Sequence, residues 1–125
     1  MTIRNKTAIA TDFLNMCATG QVRKAYDQYV SNNFRHHNAY FPDDRESLLL
    51  GMEQSAESEP NKSFTVKQII ESDDRVAVYS HLRREKVDMD MAVIHILRFE
   101  NGKIIEMWDV GQQIPKDSPN KLGMF

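Results

Sequence analysis

The pattern of apolar and polar positions divides this chain into a helical first half and a β-rich second half. Apolar residues recur at helical spacing from about residue 3 to residue 19, which predicts a first helix. Gly20 follows the last periodic residue, where a helix commonly ends in a left-handed conformation. A second helix is predicted over 21–30, and the polar run Ser31-Asn32-Asn33 would end it.

The segment between the second and third helices is rich in aromatic residues and histidines. We expect Phe34 to Phe41 to be irregular. The run Pro42-Asp43-Asp44 predicts the start of a third helix, because an aspartate there can cap free N–H groups and suits the positive end of the helix dipole. Pro60-Asn61 would close the helical half.

After this point the apolar pattern changes to a period of two, which is typical of β-strands. Strands are predicted at Ser63 to Glu71 and at Arg75 to Glu85, and two further strands flank the hairpin pair Asn101-Gly102. Asp88 to Asp90 would connect the second and third strands, and Gln112 would begin a tail without strand pattern. Helices followed by strands predict an α+β fold, with the helices on one face of a curved antiparallel four-stranded sheet.

Length and charge narrow the class of protein. The 125 residues suffice for one domain, which we take as residues 1–125. Lys and Arg number 16 against 18 Asp and Glu, so no basic footprint for nucleic acid is present. We find no signal-peptide pattern and no run near the ~20 apolar residues of a membrane span, and we expect a cytoplasmic protein. Cys17 stands alone in an apolar helical pattern and is interpreted as a small buried side chain.

Asp109 is the first candidate for chemistry. It lies in an apolar strand beside Trp108, and a carboxylate is costly to bury unless it is paired, neutralised or used. In an apolar cavity its charged form would be disfavoured, which suits a group that exchanges protons. The alternative is an aspartate at a strand end that faces solvent or caps a backbone N–H. Strand alternation places Trp108 on the opposite side, as sheet or interface packing.

Histidines supply the other candidates. His37 could donate to or accept from a carbonyl, with Asn38 beside it as an uncharged donor, or His37 could simply hold the loop together. His36 is expected to be exposed. His81 and His95 could approach Asp109 if their strand faces look into one cavity, although each could equally be structural.

No metal or organic cofactor is expected. Three of these histidines with Asp109 would suit zinc or iron chemically, but none of them stand at the short spacing that usually marks such a site. The five glycines form no phosphate loop and no dinucleotide fingerprint, and the chain has no nucleophile elbow.

Several motifs in order give the chain a family resemblance. Phe34-x-x-His37-Asn38 follows the second helix, the run from Leu97 to Glu106 contains the hairpin, and Trp108-Asp109-Val110 and Gln112-x-Ile-Pro follow. With these motifs the chain resembles the SnoaL-like polyketide cyclase group of the nuclear transport factor two-like superfamily. The resemblance implies a cone-shaped α+β barrel around a blind apolar cavity, often dimeric through the outer sheet face. It also implies that Asp109 matches the family's acid/base carboxylate, whereas His95 stands where several relatives carry an acidic residue.

These observations favour a cofactor-independent acid/base enzyme acting on a small apolar carbonyl compound, by aldol cyclisation, isomerisation or a related proton transfer in a blind pocket. Asp109 and His37 are the catalytic candidates. The substrate-binding candidates are Asn38, His81, His95, Phe13, Tyr26, Phe34 and Tyr40, although the aromatic ones could equally be core. The alternative is a non-catalytic ligand-binding or dimerisation module. A homodimer is expected in either case, because no helix after Val110 could cover the outer sheet face, although the C-terminal tail could cover it instead.

Overall fold

The computed structural model describes residues 5–60 and 62–125. The first element in it is helix α1, Lys6–Ala18. Its start is fixed by Asn5, whose side chain accepts the Ala8 N–H at 2.8 Å. Gly20 follows the helix with φ +90°, a left-handed conformation that glycine adopts without strain. The predicted helix is confirmed from residue 6, and the predicted residues 3 and 4 lie outside the described residues.

Helix α2, Val22–Tyr29, leads directly into strand β1, Val30–His36. The prediction that residues from Phe34 onward are irregular is wrong for the first three of them. Phe34 and His36 alternate with exposed neighbours and are both buried. The strand forms because it pairs in parallel with the last strand of the chain, a contact between distant segments that leaves no local pattern.

Helix α3, Arg45–Ser58, starts where the sequence predicts it. The Asp44 carboxylate accepts the Ser47 N–H at 2.9 Å, a cap that typically stabilises a helix by about 1 kcal/mol. Leu48 and Leu49 form its buried face. The capping aspartate is a local signal, and the predicted start of the helix is confirmed.

The remaining strands are β2, Lys62–Glu71; β3, Arg75–Arg84; β4, Met89–Glu100; and β5, Lys103–Gln113. The described residues form one five-stranded sheet in the order β1-β5-β4-β3-β2, antiparallel except for β1 against β5. The predicted sheet therefore gains a fifth strand.

The connections from β3 to β4 and from β4 to β5 both contain residues with positive φ angles. Asn101 and Gly102 have φ values of +53° and +77°, as the predicted Asn-Gly hairpin requires. Between β3 and β4, a short 3₁₀ turn and Asp88 at φ +47° make the bend. Strand β4 begins at Met89, inside the predicted connection, and the last two residues of β5, Gln112 and Gln113, lie inside the predicted tail.

The helices cover one face of the curled sheet, and the fold is the expected cone-shaped α+β type. The core lies between these layers, and its largest fully buried side chains are Tyr26, Phe13, Phe34, Leu48, Leu49, Leu97, Ile104 and Met107. The C-terminal segment returns over the other face of the sheet, where the Tyr79 hydroxyl donates to the Met124 carbonyl. Within residues 5–60 and 62–125, no helix is both long and apolar enough to cross a membrane.

Candidate functional site

A cavity of about 400 Å³ lies between the inner face of the sheet and helices α1 and α3. Its volume is in the range of pockets that hold small organic ligands. Most of the wall is apolar, with Leu14, Phe64, Leu82, Met91 and Val93 among its residues. The polar groups in this wall are therefore the candidates for binding and chemistry.

Asp109 is one of these polar groups. It lies on β5 directly opposite His95 of β4, so the two side chains share the inner face of the sheet. Both residues line the cavity. The amide Nδ2 of Asn38, a third lining residue, donates to Asp109 Oδ2 at 3.0 Å. The structure thus brings three of the predicted site residues together at one place in the wall.

His36 holds the loop that carries Asn38. Its side chain is buried, with 2 % of its surface exposed, so the expectation that His36 is exposed is wrong. Its Nδ1 accepts the Asn38 N–H at 3.1 Å, and its Nε2 donates to the Pro42 carbonyl at 2.6 Å. These partners fix the tautomer with the proton on Nε2. His36 is inward-facing because it continues the alternation of β1 after Phe34.

Asn38 is oriented by a second contact. Its side-chain Oδ1 accepts the Tyr40 N–H at 3.0 Å, which leaves the Nδ2 group free to face Asp109. Such a turn built on an asparagine side chain is a local feature of the sequence. The amide can therefore hold the Asp109 carboxylate in one orientation.

His95 is the most unusual group in the cavity. Its Nδ1 is buried and has no hydrogen-bond partner among the described residues. Burial lowers the pKa of His95 below its ordinary value, and the negative charge of Asp109 opposes this shift only in part. The ring is therefore neutral at pH 7, with one protonated and one unprotonated nitrogen.

His37 lies outside the cavity. Its ring stacks on Trp108 with centroids 4.9 Å apart, and its Nε2 donates to Glu106 Oε2 at 2.7 Å. Trp108 is on the side of β5 opposite Asp109, as strand alternation predicts, and it also contacts Arg75. The structure does not bring His37 to the other site residues.

His81 lies on the outer face of the sheet. Its Nε2 hydrogen-bonds to Asp90 Oδ1, and its ring lies against Phe125 of the C-terminal segment. The inner face of β3 instead carries Val78, Ser80 and Leu82. Sequence alternation shows which residues share a face but not which face is inner, and His81 is placed opposite to the expectation that it approaches Asp109.

The four aromatic candidates divide between core and cavity. Phe13, Tyr26 and Phe34 pack against one another in the core, with ring centroids 5.5 and 5.9 Å apart for the two contacts, and they are not among the lining residues. Tyr40 does line the cavity, and 90 % of its surface is exposed.

Cys17 is confirmed as a buried side chain, and burial raises its pKa to about 12.

Sequence reasoning missed the polar residues at another part of the wall: Ser55, Lys62 and Arg84. Alternation along β3 places Arg84 on the same face as Leu82, but nothing local in the sequence indicates that this face borders a cavity.

Among the side chains that the structure describes, no three of His, Cys, Asp or Glu form a cluster suited to a metal ion. His37 and His81 both lie away from the His95–Asp109 pair.

Solved structures with the same fold support this architecture. AclR of Streptomyces galilaeus, a proposed hydroxylase, is 18% identical with a TM-score of 0.75, covering 90% of this chain and 81% of that one. A proposed polyketide cyclase of Bacillus cereus is 24% identical with a TM-score of 0.72, covering 83% and 72%. A protein of unknown function from Cytophaga hutchinsonii, described as NTF2-like, is 15% identical with a TM-score of 0.71, covering 90% and 95%. At these identities the likeness concerns the fold alone.

No curated protein matches the sequence. The model of one family does match, over residues 8–116, and that family is the SnoaL-like polyketide cyclases. The matched residues run from the first turn of α1 to beyond the end of β5, so they include the whole cavity and its polar groups. The chain therefore belongs to the SnoaL-like polyketide cyclase family.

Proposed function

We propose that this protein is a cofactor-independent acid/base enzyme that acts on a small apolar carbonyl compound, with Asp109 as the proton carrier. One observation carries the proposal: Asp109 borders an apolar cavity, held by Asn38 and directly opposite His95. A carboxylate in such a cavity can remove a proton from the carbon next to a carbonyl and return it elsewhere. Aldol cyclisation and isomerisation both use this pair of steps, and family membership agrees with them.

The neighbouring groups have distinct roles in this proposal. Asn38 Nδ2 donates to Asp109 and keeps one carboxylate oxygen turned away from the substrate, so that the other oxygen faces it. His95 is neutral at pH 7 and can hydrogen-bond the substrate oxygen as negative charge develops on it. In a water-poor site one such donor is worth about 3 kcal/mol in the transition state.

Proton exchange tests the proposal without knowledge of the natural product. 2-Decanone in D₂O should lose the NMR signals of its α-protons faster with the protein than without it. Asp109→Asn should keep the fold and slow this exchange by about 10²- to 10⁴-fold, the usual contribution of a general base. Asp90→Asn is the matched control, because Asp90 pairs with His81 on the outer face. Equal exchange in wild type and Asp109→Asn would remove Asp109 from the mechanism.

The same experiment addresses the alternative function. A protein that binds 2-decanone but does not accelerate exchange would be a ligand-binding module of the same fold. Binding can be followed separately by the shift of cavity methyl signals, such as those of Met91 and Val93. The pair of measurements therefore separates catalysis from binding.

We also propose that the protein forms a homodimer through the outer face of the sheet. Ile70, Ile94 and Val110 lie on that face with 64 %, 42 % and 72 % of their surfaces exposed, and they border one shallow groove. Exposed apolar patches of this kind commonly mark interfaces. Sedimentation of the wild type at micromolar concentration should give twice the 14.5 kDa chain mass, and Ile94→Lys should reduce it to the monomer. A wild type that sediments only as a monomer would contradict the dimer.

A further inference from the structure

Two cationic side chains line the cavity at a distance from Asp109. Lys62 begins β2 and Arg84 ends β3, and the two residues are directly paired across the strands. Arg84 in turn pairs with Met89 on β4, whereas Asp109 pairs with His95. Along β4 the positions 89 and 95 are about 20 Å apart at the usual rise of a strand. The cavity thus has a carboxylate end and a cationic end.

The pairing of Lys62 with Arg84 is unfavourable by itself, since like charges directly opposite each other destabilise a sheet. Lys62 and Arg84 share a hydrogen-bond partner, the uncharged side chain of Ser55. Ser55 Oγ accepts from Lys62 Nζ at 3.1 Å and from Arg84 Nη2 at 3.0 Å. A hydroxyl oxygen can accept both hydrogen bonds but supplies no negative charge.

Glu59 provides only part of the missing charge. Its Oε2 lies 3.4 Å from Arg84 Nη1, and in the described parts of the chain no other carboxylate forms an ion pair with either cation. Among the residues that the structure describes, Arg84 Nε and Glu59 Oε2 are each buried without a hydrogen-bond partner. The two cations therefore have one carboxylate between them, and one positive charge is left over at this end of the cavity.

The titration behaviour of Lys62 agrees with this geometry. Burial lowers the pKa of Lys62, the positive charge of Arg84 lowers it further, and Glu59 acts in the opposite direction. An anion bound between the two side chains would relieve both unfavourable effects. Carboxylates suit such a place because arginine and lysine bind them by charge-assisted hydrogen bonds.

We propose that Lys62, Arg84 and Ser55 form an anion subsite, and that the ligand is an apolar carbonyl compound with a carboxylate at the end remote from the reacting carbonyl. The inference rests on the proposed function for the position of the carbonyl at Asp109. The wall between the ends is apolar, with Leu82, Met91 and Val93, and suits a hydrocarbon body. The subsite would thus fix which end of the molecule meets Asp109.

A pair of probes tests the subsite in the wild type. Decanoate and methyl decanoate have the same hydrocarbon body and differ in the negative charge. Each is titrated against the fluorescence of N-phenyl-1-naphthylamine, a neutral reporter of apolar cavities. Decanoate should bind at least about tenfold tighter than its ester, the effect of one or two charge-assisted hydrogen bonds. A purely apolar cavity would prefer the ester, so equal binding or a preference for the ester overturns the proposal.

A substitution then assigns the effect to the subsite. Lys62→Met removes the charge and keeps most of the side-chain stem, and it should weaken decanoate by about tenfold while methyl decanoate changes less than about twofold. Lys67→Met is the matched control, because Lys67 lies on the same strand, is exposed and does not line the cavity. An equal loss for both probes in Lys62→Met, or the same loss of decanoate in the control, would contradict the assignment.

The subsite and the catalytic proposal can fail separately. Asp109→Asn should retain the preference for decanoate, because Asp109 lies at the other end of the cavity. If the preference is absent but Asp109-dependent exchange of 2-decanone persists, the subsite alone is wrong. If the preference is present and Asp109→Asn leaves exchange unchanged, the acid/base assignment alone is wrong.

Discussion

Two histidine–aspartate pairs lie on opposite faces of the same sheet and differ in what surrounds them. On the outer face, His81 and Asp90 hydrogen-bond to each other, their side chains are 30% and 31% exposed, and Arg83 lies 3.8 Å from the same carboxylate. On the inner face, His95 and Asp109 are cross-strand neighbours in the cavity wall. The residue types are the same, and the environments are not.

The difference shows that unsatisfied groups, rather than residue types, mark a chemical site. In the outer pair the two side chains hydrogen-bond to each other, and both are partly exposed to solvent. In the inner pair, Asn38 holds the carboxylate, and His95 Nδ1 is buried with no partner in the part of the chain that the structure describes. A buried polar atom without a partner is costly, and this cost distinguishes the inner pair from the outer pair.

The largest expected contrast is between the two histidines in catalysis. His95→Leu should slow the exchange of 2-decanone α-protons by about 10²-fold, because leucine has no donor for the developing enolate. His81→Leu should leave the rate within about twofold, since His81 is bonded to Asp90 on the other face. The rates are compared by NMR at equal protein concentration. Equal losses in the two variants would mean that the inner pair has no special role.

A second contrast concerns the neighbouring histidines His36 and His37. His36→Ala should lower the free energy of unfolding by about 2 kcal/mol, because the Asn38 N–H and the Pro42 carbonyl lose their buried partner. His37→Ala should cost less than about 1 kcal/mol, since His37 forms a partly exposed hydrogen bond with Glu106. Urea unfolding measures both values. A larger loss for His37→Ala would show that the outer stack, and not the buried ring, fixes this loop.

The parts of the fold that the sequence predicts are those with local causes. The Asp44 cap starts α3, the Asn101-Gly102 pair makes the hairpin, and alternation places Trp108 and Asp109 on opposite sides of β5. Each of these depends on a few neighbouring residues. The family resemblance implies the cone-shaped barrel itself, and the structure and the family match agree with it.

The parts that the sequence does not predict depend on contacts between distant segments. Strand β1 forms by parallel pairing with β5, and this pairing turns His36 into the core. His81 lies on the outer face of β3 and His95 on the inner face of β4. The alternation of apolar and polar residues in each strand does not distinguish these faces, because the packing of the helices decides which face is inner. The Lys62–Arg84 pair arises from the register of β2 against β3, which includes a bulge between Val66 and Gln68.

The smallest expected effect is a pH dependence of stability that comes from the inner pair. Burial lowers the pKa of His95 below the 6.5 of the unfolded chain, so below pH 6.5 the unfolded state binds a proton that the folded state refuses. Stability is then fully present above pH 6.5 and falls as the pH drops, by at most about 1.4 kcal/mol per pH unit for one proton. His95→Gln lacks this group, so its free energy of unfolding should fall less steeply between pH 6.5 and 5.5. Urea unfolding of both proteins across this range measures the slopes, and parallel profiles would show that His95 titrates normally despite its burial.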